Sequence, residues 1–126
     1  MDNNSTTVLE ARTADLMQRF NDAFLRHEPA LLDDLIALDC RLENTTPAPD
    51  GSRHVGRTAC LAVWHAIAAN RDAWFEPECT VVCGERAMIQ WRYRWGPGET
   101  ESVRGVNLMQ VRDGLIVEAL GYVKGN

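Results

Sequence analysis

TESVRGVNLMQVRDGLIVEALGYV, residues 100–123, is the stretch whose reading decides the fold. Two runs with alternating apolar and polar residues, Thr100–Val111 and Leu115–Val123, flank Arg112-Asp113-Gly114. That is the pattern of an antiparallel hairpin. A two-residue Asp113-Gly114 turn would pair Asn107 with Leu120 and Met109 with Glu118. A three-residue turn, with Gly114 left-handed, would pair Met109 with Val117, Asn107 with Ala119 and Gly105 with Gly121. The second register is preferred, because a slip by one residue carries Glu118 into the interior. It gathers Val103, Gly105, Asn107, Met109, Val117, Ala119, Gly121 and Val123 on one face. The small residues leave room for a cavity or a close-packed helix, and Asn107 is the one polar side chain.

Upstream, Trp74–Val82 and Arg86–Trp95 read as two further strands, with turns at Cys83-Gly84-Glu85 and Gly96-Pro97-Gly98-Glu99. Ile89, Trp91, Tyr93 and Trp95 alternate with Gln90, Arg92 and Arg94. If the second turn is centred on Gly98, Trp91 opposes Gly105 and faces inward. An even register instead puts Gln90 and Arg92 inside and makes the aromatics an outer, partner-facing surface. The sequence leaves both open.

The first half is helical. Thr7 and Glu10 fit a capping box, and Leu16, Phe20 and Phe24 form a stripe at i, i+4 and i+8 of a helix running to about His27. Residues 1–6 are expected to be disordered. Pro29 suits the first turn of a shorter second helix carrying Leu31, Leu32, Leu35, Ile36 and Leu38. Cys40–Thr45 can form a short strand, and Pro47 and Pro49 make Thr46–Ser52 a loop. Gly56–Asn70 reads as a third helix with Cys60, Leu61, Trp64, Ile67 and Ala68 inward. Helices first and a meander afterwards define an α+β chain, here one domain over residues 1–126.

The 126 residues are 45% hydrophobic and 25% charged, as in ordinary globular proteins. A net charge of −5 gives no footprint for nucleic acid. Arg86, Arg92, Arg94 and Arg104 read as a solvated or partner-facing stripe. The polar, acidic start is unlike a signal peptide, and no apolar run suffices to cross a bilayer, so no membrane association and a cytoplasmic location are expected. Cys79 and Cys83 are spaced CxxxC, a poor match to structural zinc. Cys40, Cys60, Cys79 and Cys83 are therefore expected to be buried free thiols, with no metal and no cofactor.

Five segments carry a resemblance: Leu16–Phe20, Leu42-Glu43-Asn44, Gly56-Arg57-Thr58-Ala59, Arg104–Asn107 and Arg112–Ile116. In this order and spacing the chain resembles the nuclear-transport-factor-2-like superfamily, specifically its SnoaL-like and ketosteroid-isomerase-like members. The resemblance implies a cone, in which a strongly curved antiparallel sheet wraps around N-terminal helices. It also implies a pocket inside and a homodimer through the outer sheet face. Ketosteroid isomerase pairs an Asp base with a Tyr and a protonated Asp that make an oxyanion hole. Those positions correspond to Asn44, Phe20 and Asn107 respectively. Asn44 cannot take a proton near neutral pH, Phe20 has no hydroxyl, and Asn107 retains one amide donor. Steroid isomerisation by this constellation is therefore not expected.

The expected ligand is a small, hydrophobic, ring-containing or polyketide-like molecule, held by Phe20, Phe24, Asn44, Trp64, Trp91 and Asn107. His54, after the Pro/Gly loop, is a weak catalytic candidate. SnoaL-like cyclases use an acid, but Asp39, Glu43, Asp50 and Glu118 are not clearly on the inner face. The Asp-Arg-Asp set of limonene epoxide hydrolase is absent unless Arg92 turns inward. Glu43, neighbouring Asn44, should face away as a surface pair. His65 should lie at the edge of its helix, and His27 at the carboxyl end of the first helix. Two other readings remain: a dimerising accessory module with Val106, Leu108, Leu120 and Tyr122 on its outer sheet, and a cyclase or hydrolase using His54 or another acid.

Overall fold

The computed structural model of the chain describes residues 3–125. Helix α1 spans Asn3–Leu25 and α2 spans Arg57–Ala69. Strands β1 (Ile36–Asn44), β2 (Ser52–Val55), β3 (Trp74–Cys83), β4 (Arg86–Arg94), β5 (Ser102–Arg112) and β6 (Leu115–Val123) form one sheet in the order β2-β1-β6-β5-β4-β3. The two helices pack against this curved sheet as an α+β cone. All neighbours are antiparallel except β1 and β6, which run parallel. Helix α1 begins at Asn3, four residues before the expected Thr7 cap. Residues 1 and 2 lie outside the described residues.

The α1 stripe seals the core. Leu16, Met17, Phe20, Ala23 and Phe24 are buried, as are Cys60, Trp64 and Ala68 of α2. Thr13 is the one buried polar residue among those described, and its Oγ1 lies 2.8 Å from the Gly84 carbonyl and 3.1 Å from that of Leu9. The hydroxyl thus satisfies itself while tying α1 to the β3–β4 turn.

Helix α1 stops in a Schellman motif. The Glu28 amide donates to the Ala23 carbonyl (2.9 Å) and the His27 amide to that of Phe24 (3.3 Å). His27 takes the left-handed conformation, φ 53°, where glycine is usual. Its Nδ1 donates to the Ala68 carbonyl at 3.0 Å, linking the ends of α1 and α2. His27→Ala should lose that link and keep the left-handed strain, whereas His27→Gly loses only the link. The glycine variant is expected to be more stable than the alanine variant by about 1 kcal/mol in urea unfolding.

Three expectations are corrected here. The segment after Pro29 is only a 3-10 turn, Pro29–Leu32, and Ile36–Leu38 are strand. Ile36 pairs with Ile116, and that ladder takes the residues from the helix, leaving Leu38 80% exposed. Strand β2 is unanticipated; its four residues pair with Arg41–Asn44 across the Pro-containing loop. All four cysteines are free, but only Cys40 and Cys60 are buried. Cys79 and Cys83 lie exposed on the edge strand β3. Burial, with Cys60 beside it, pushes the Cys40 thiol up to about 12.

The β5–β6 hairpin resolves its register in a third way. The turn is the two-residue one, Asp113-Gly114, with both residues at positive φ (53° and 77°), which corrects the three-residue expectation. Arg112 pairs with Leu115 and Val111 with Ile116; a bulge at Val117 then shifts the ladder. Beyond it Gln110 faces Glu118, Met109 faces Ala119, Asn107 faces Gly121 and Gly105 faces Val123. The pairing is displaced by two residues from the expected one. A shift of two conserves side-chain parity, so Asn107, Met109, Ala119 and Gly121 still share the inner face. Glu118 stays outside, with Arg41 at 2.7 Å.

Candidate functional site

The β4–β5 connection is centred on Gly98: Arg94 pairs with Ser102 and Trp91 with Gly105. This settles the open question of that strand. Ile89, Trp91 and Tyr93 face the concave side, and Gln90, Arg92 and Arg94 face outward. Gly105 makes this possible. A Cβ there would lie 2.5 Å from Trp91 Cη2 and Cζ2 and 2.5 Å from the Tyr122 carbonyl. The indole instead lies over bare backbone and reaches diagonally to Asn107, donating from Nε1 to Oδ1 at 3.1 Å.

A cavity of about 220 Å³ opens beside this pair. Phe20, Phe24, Asn44, Trp64, Trp91 and Asn107 all line it. One side is a chain of edge-on rings: Trp64 to Phe20 (5.2 Å between centroids), Phe20 to Phe24 (5.0 Å), Phe24 to Phe75 (5.8 Å) and Phe75 to Trp91 (4.9 Å). Edge-to-face packing of this kind holds each ring at a defined angle. The opposite side carries the two amides, with Gly121 between them. A Cβ on Gly121 would stand 3.3 Å from Asn107 Oδ1 and 3.4 Å from Asn44 Oδ1.

Asn44 is placed by the end of β1. The next residue, Thr45, uses its hydroxyl to donate to the Gly121 carbonyl (3.0 Å) and to accept from the Val123 amide (3.0 Å). That side chain prolongs the β1–β6 seam and holds Asn44 over Gly121. Asn21, Thr45, Thr46, Phe75 and Tyr93 also line the cavity and were not among the ligand-binding residues expected from the sequence. Tyr93 and Phe75 are register partners. Tyr93 carries the same alternation that marks Trp91, which can be read only once the Gly98 turn is known, and Phe75 follows from its pairing with Tyr93.

The acids go elsewhere. Asp39 pairs with Arg112 (2.7 Å), Glu43 with Arg53 (4.0 Å), Glu78 with Arg104 (2.9 Å) and Glu76 with Arg94. The Arg112 and Arg104 guanidiniums hold Asp39 and Glu78 below the usual carboxylate range. His54 lies on β2 opposite Leu42 and is not among the cavity-lining residues. His65 is half-exposed at the edge of α2, its Nε2 2.7 Å from Asp33 Oδ1. Among the described residues no cluster of His, Cys, Asp and Glu could hold a metal ion, and no helix is long and apolar enough to cross a membrane.

The model of the SnoaL-like domain matches residues 17–119. No curated protein matches the sequence. Among solved structures, an NTF2-like protein of unknown function from Mesorhizobium loti is 57% identical, covering 92% of this chain and 93% of that one, with a TM-score of 0.86. A candidate polyketide cyclase from Sinorhizobium meliloti is 23% identical over 86% of this chain and 94% of its own (TM-score 0.69). A candidate ketosteroid isomerase from Kribbella flavida is 20% identical over 93% and 81% (TM-score 0.77). At those identities the last two show the shared fold alone. With four-fifths of its length matched by one family model and a cone built as described, the chain belongs to the SnoaL-like domain family of NTF2-like proteins.

Proposed function

We propose that this protein binds a small, neutral, ring-containing molecule inside the cone, and that the catalytic positions of ketosteroid isomerase are replaced in it. The observation that carries the reading is the lining of the cavity. Its rings and aliphatic side chains are interrupted by amides and hydroxyls, and no Asp, Glu, His, Lys or Arg is among its lining residues. Such a wall desolvates an uncharged ligand cheaply and a charged one at high cost. Asn44 offers no base, Phe20 no hydroxyl, and Asn107 one amide donor, which makes a binding contact rather than an isomerase.

The protein works in this reading as a cytoplasmic homodimer joined through the outer sheet face. There Val81, Leu108 and Tyr122 are 51%, 42% and 56% exposed, an apolar patch of the kind that marks protein contacts. The alternative of a bare dimerising module is less well supported, because a filled cone would not contain the cavity. A cyclase or hydrolase role for His54 is disfavoured by its place outside the lining.

The test uses 2-methylnaphthalene and 2-naphthoate as probes, read by quenching of tryptophan fluorescence. The neutral probe should bind at least about tenfold more tightly than the anion. No binding by the neutral probe, or equal binding of both, overturns the proposal. Sedimentation at micromolar concentration should show a dimer; a strict monomer removes that part.

A further inference from the structure

Two of the four thiols play no part in the core or the cavity. Cys79 and Cys83 are exposed on the outer face of the edge strand β3, flanking Val81, which is exposed as well. Along one extended strand they stand about 13 Å apart, beyond the reach of a disulfide within the chain. The edge around them is open. Thr80, on the inner face, is exposed while its partner Ile89 is buried, so α1 covers β4 at this level and leaves the rim of β3 clear. Pro77 and the register shift that follows it blunt the first half of the strand. Cys79–Cys83 is left bare.

The β3–β4 hairpin fixes which way that segment points its backbone. A two-residue turn, with Gly84 at φ 59°, closes on Cys83 and Arg86 as a hydrogen-bonded pair. The Val111 amide donates to the Glu85 carbonyl at 2.8 Å, so Glu85 faces β5 and Arg86 faces β3. By alternation Cys79, Val81 and Cys83 direct their amides and carbonyls to β4, and Thr80 and Val82 direct theirs out of the sheet. A second copy of the strand can engage both outward residues in one symmetric register. In antiparallel pairing about Val81, Thr80 of each copy faces Val82 of the other, and both pairs are hydrogen-bonded. Moving the axis to Thr80 brings in the irregular stretch after Pro77. Moving it to Val82 brings in Gly84, whose carbonyl already holds Thr13. About Val81, each Cys79 opposes the other copy's Cys83 at a non-hydrogen-bonded position, where Cα atoms stand about 4.5 Å apart. That lies within the roughly 4.4–6.8 Å span of disulfides.

We propose that Cys79 and Cys83 form a redox-sensitive crosslinking site, which joins two copies of this chain edge to edge through reciprocal Cys79–Cys83 disulfides when a peroxide is the oxidant. The occupant is a second copy because the thiols are equidistant from Val81, and a two-fold axis there matches each with its counterpart. With hydrogen peroxide, one thiolate attacks an oxygen and the O–O bond breaks; the cysteine becomes a sulfenic acid, and hydroxide leaves with the thiol's proton as water. The facing thiol attacks that sulfur, the S–S bond forms and a second water leaves. Sulfur is oxidised and peroxide oxygen reduced. A dithiol reductant reverses the link by exchange. Leu108 and Tyr122 of the outer-face patch lie on β5 and β6 and stay uncovered by an edge pair. The inference is independent of ligand binding in the cavity.

The test treats the full chain at micromolar concentration with hydrogen peroxide and reads covalent pairs on a denaturing, non-reducing gel. Wild type should give a pair that dithiothreitol dissolves. Cys79→Ser alone and Cys83→Ser alone should each lose it, to about a tenth or less, because every thiol then faces a hydroxyl. An equal mixture of the two variants should restore about half or more of the wild-type yield, since one copy's Cys83 meets the other's Cys79. Collision between exposed thiols would instead link either variant with itself. That result overturns the proposal, as does the absence of a covalent pair in wild type. Amide hydrogen exchange on the wild-type protein separates an edge pair from a face contact and needs no variant. Thr80 and Val82, open in the reduced protein, should exchange at least about tenfold more slowly in the linked pair. Unchanged exchange at both overturns the edge-to-edge geometry.

Discussion

Gly105→Ala is expected to destabilise the protein by about 3 kcal/mol, the largest loss from a single added methyl group anywhere in the sheet. The new Cβ would stand 2.5 Å from two atoms of the Trp91 ring and 2.5 Å from the Tyr122 carbonyl oxygen. The ring can move only by leaving its edge-on contact with Phe75 at 4.9 Å and its bond to Asn107. The carbonyl belongs to β6, so relief there means spreading the β5–β6 pair. Overpacking of a tight interior costs about 1–3 kcal/mol, and losing the indole–amide bond adds about 1 kcal/mol. A thermal melt should fall by roughly 10 °C or more. A double variant Gly105→Ala with Trp91→Leu, whose side chain no longer crosses the strand, should recover part of the loss. A melt within two or three degrees of wild type would show that the indole does not need the bare backbone.

Gly121→Val is expected to do the reverse, sparing the fold and emptying the site of ligand. Gly121 needs no left-handed backbone, and its Cβ meets nothing closer than 3.3 Å, so the strand accepts a side chain with a shift of a few tenths of an ångström. Valine is also well suited to a strand. Its methyl groups would occupy the space between Asn44 and Asn107, part of the cavity in which the ligand is proposed to sit. Binding of 2-methylnaphthalene should weaken about 100-fold, equivalent to about 2.7 kcal/mol, with a melting temperature within a few degrees of wild type. Unchanged affinity would place the ligand outside the amide pair.

Much of the fold was legible in the chain itself, and the reasons are local. The α1 stripe reads at the helical period, and the four C-terminal strands read at the period of two. The β5–β6 hairpin shows why such a reading is robust. Its turn and pairing differ from expectation, yet the bulge at Val117 makes the error an even number of residues, and the inner face survives. The failures lie where several residues had to choose between local and distant partners. Ile36 carries an apolar spacing compatible with a helix after Pro29, but its partner is Ile116. Ser52–Val55 has no alternation to declare it a strand and is one because β1 offers an open edge.

The same division runs through the candidate site. By itself the sequence assigned Phe20, Phe24, Trp64 and Asn107 to inward faces, because helical and strand periodicity give each side chain a face, and the resemblance implied that Asn44 joins them. The identities of Phe20, Asn44 and Asn107 are likewise fixed by sequence alone, and the resemblance is what implies that they stand at isomerase-like positions. Only the tertiary structure decided that the cone is hollow, that Trp91 faces inward, and that its indole holds the Asn107 carbonyl oxygen. Those three depend on the turn centred on Gly98, the bare backbone at Gly105 and a hydrogen bond between residues on neighbouring strands. Periodicity is a property of one segment, whereas register and the space between segments come into being only when the strands meet.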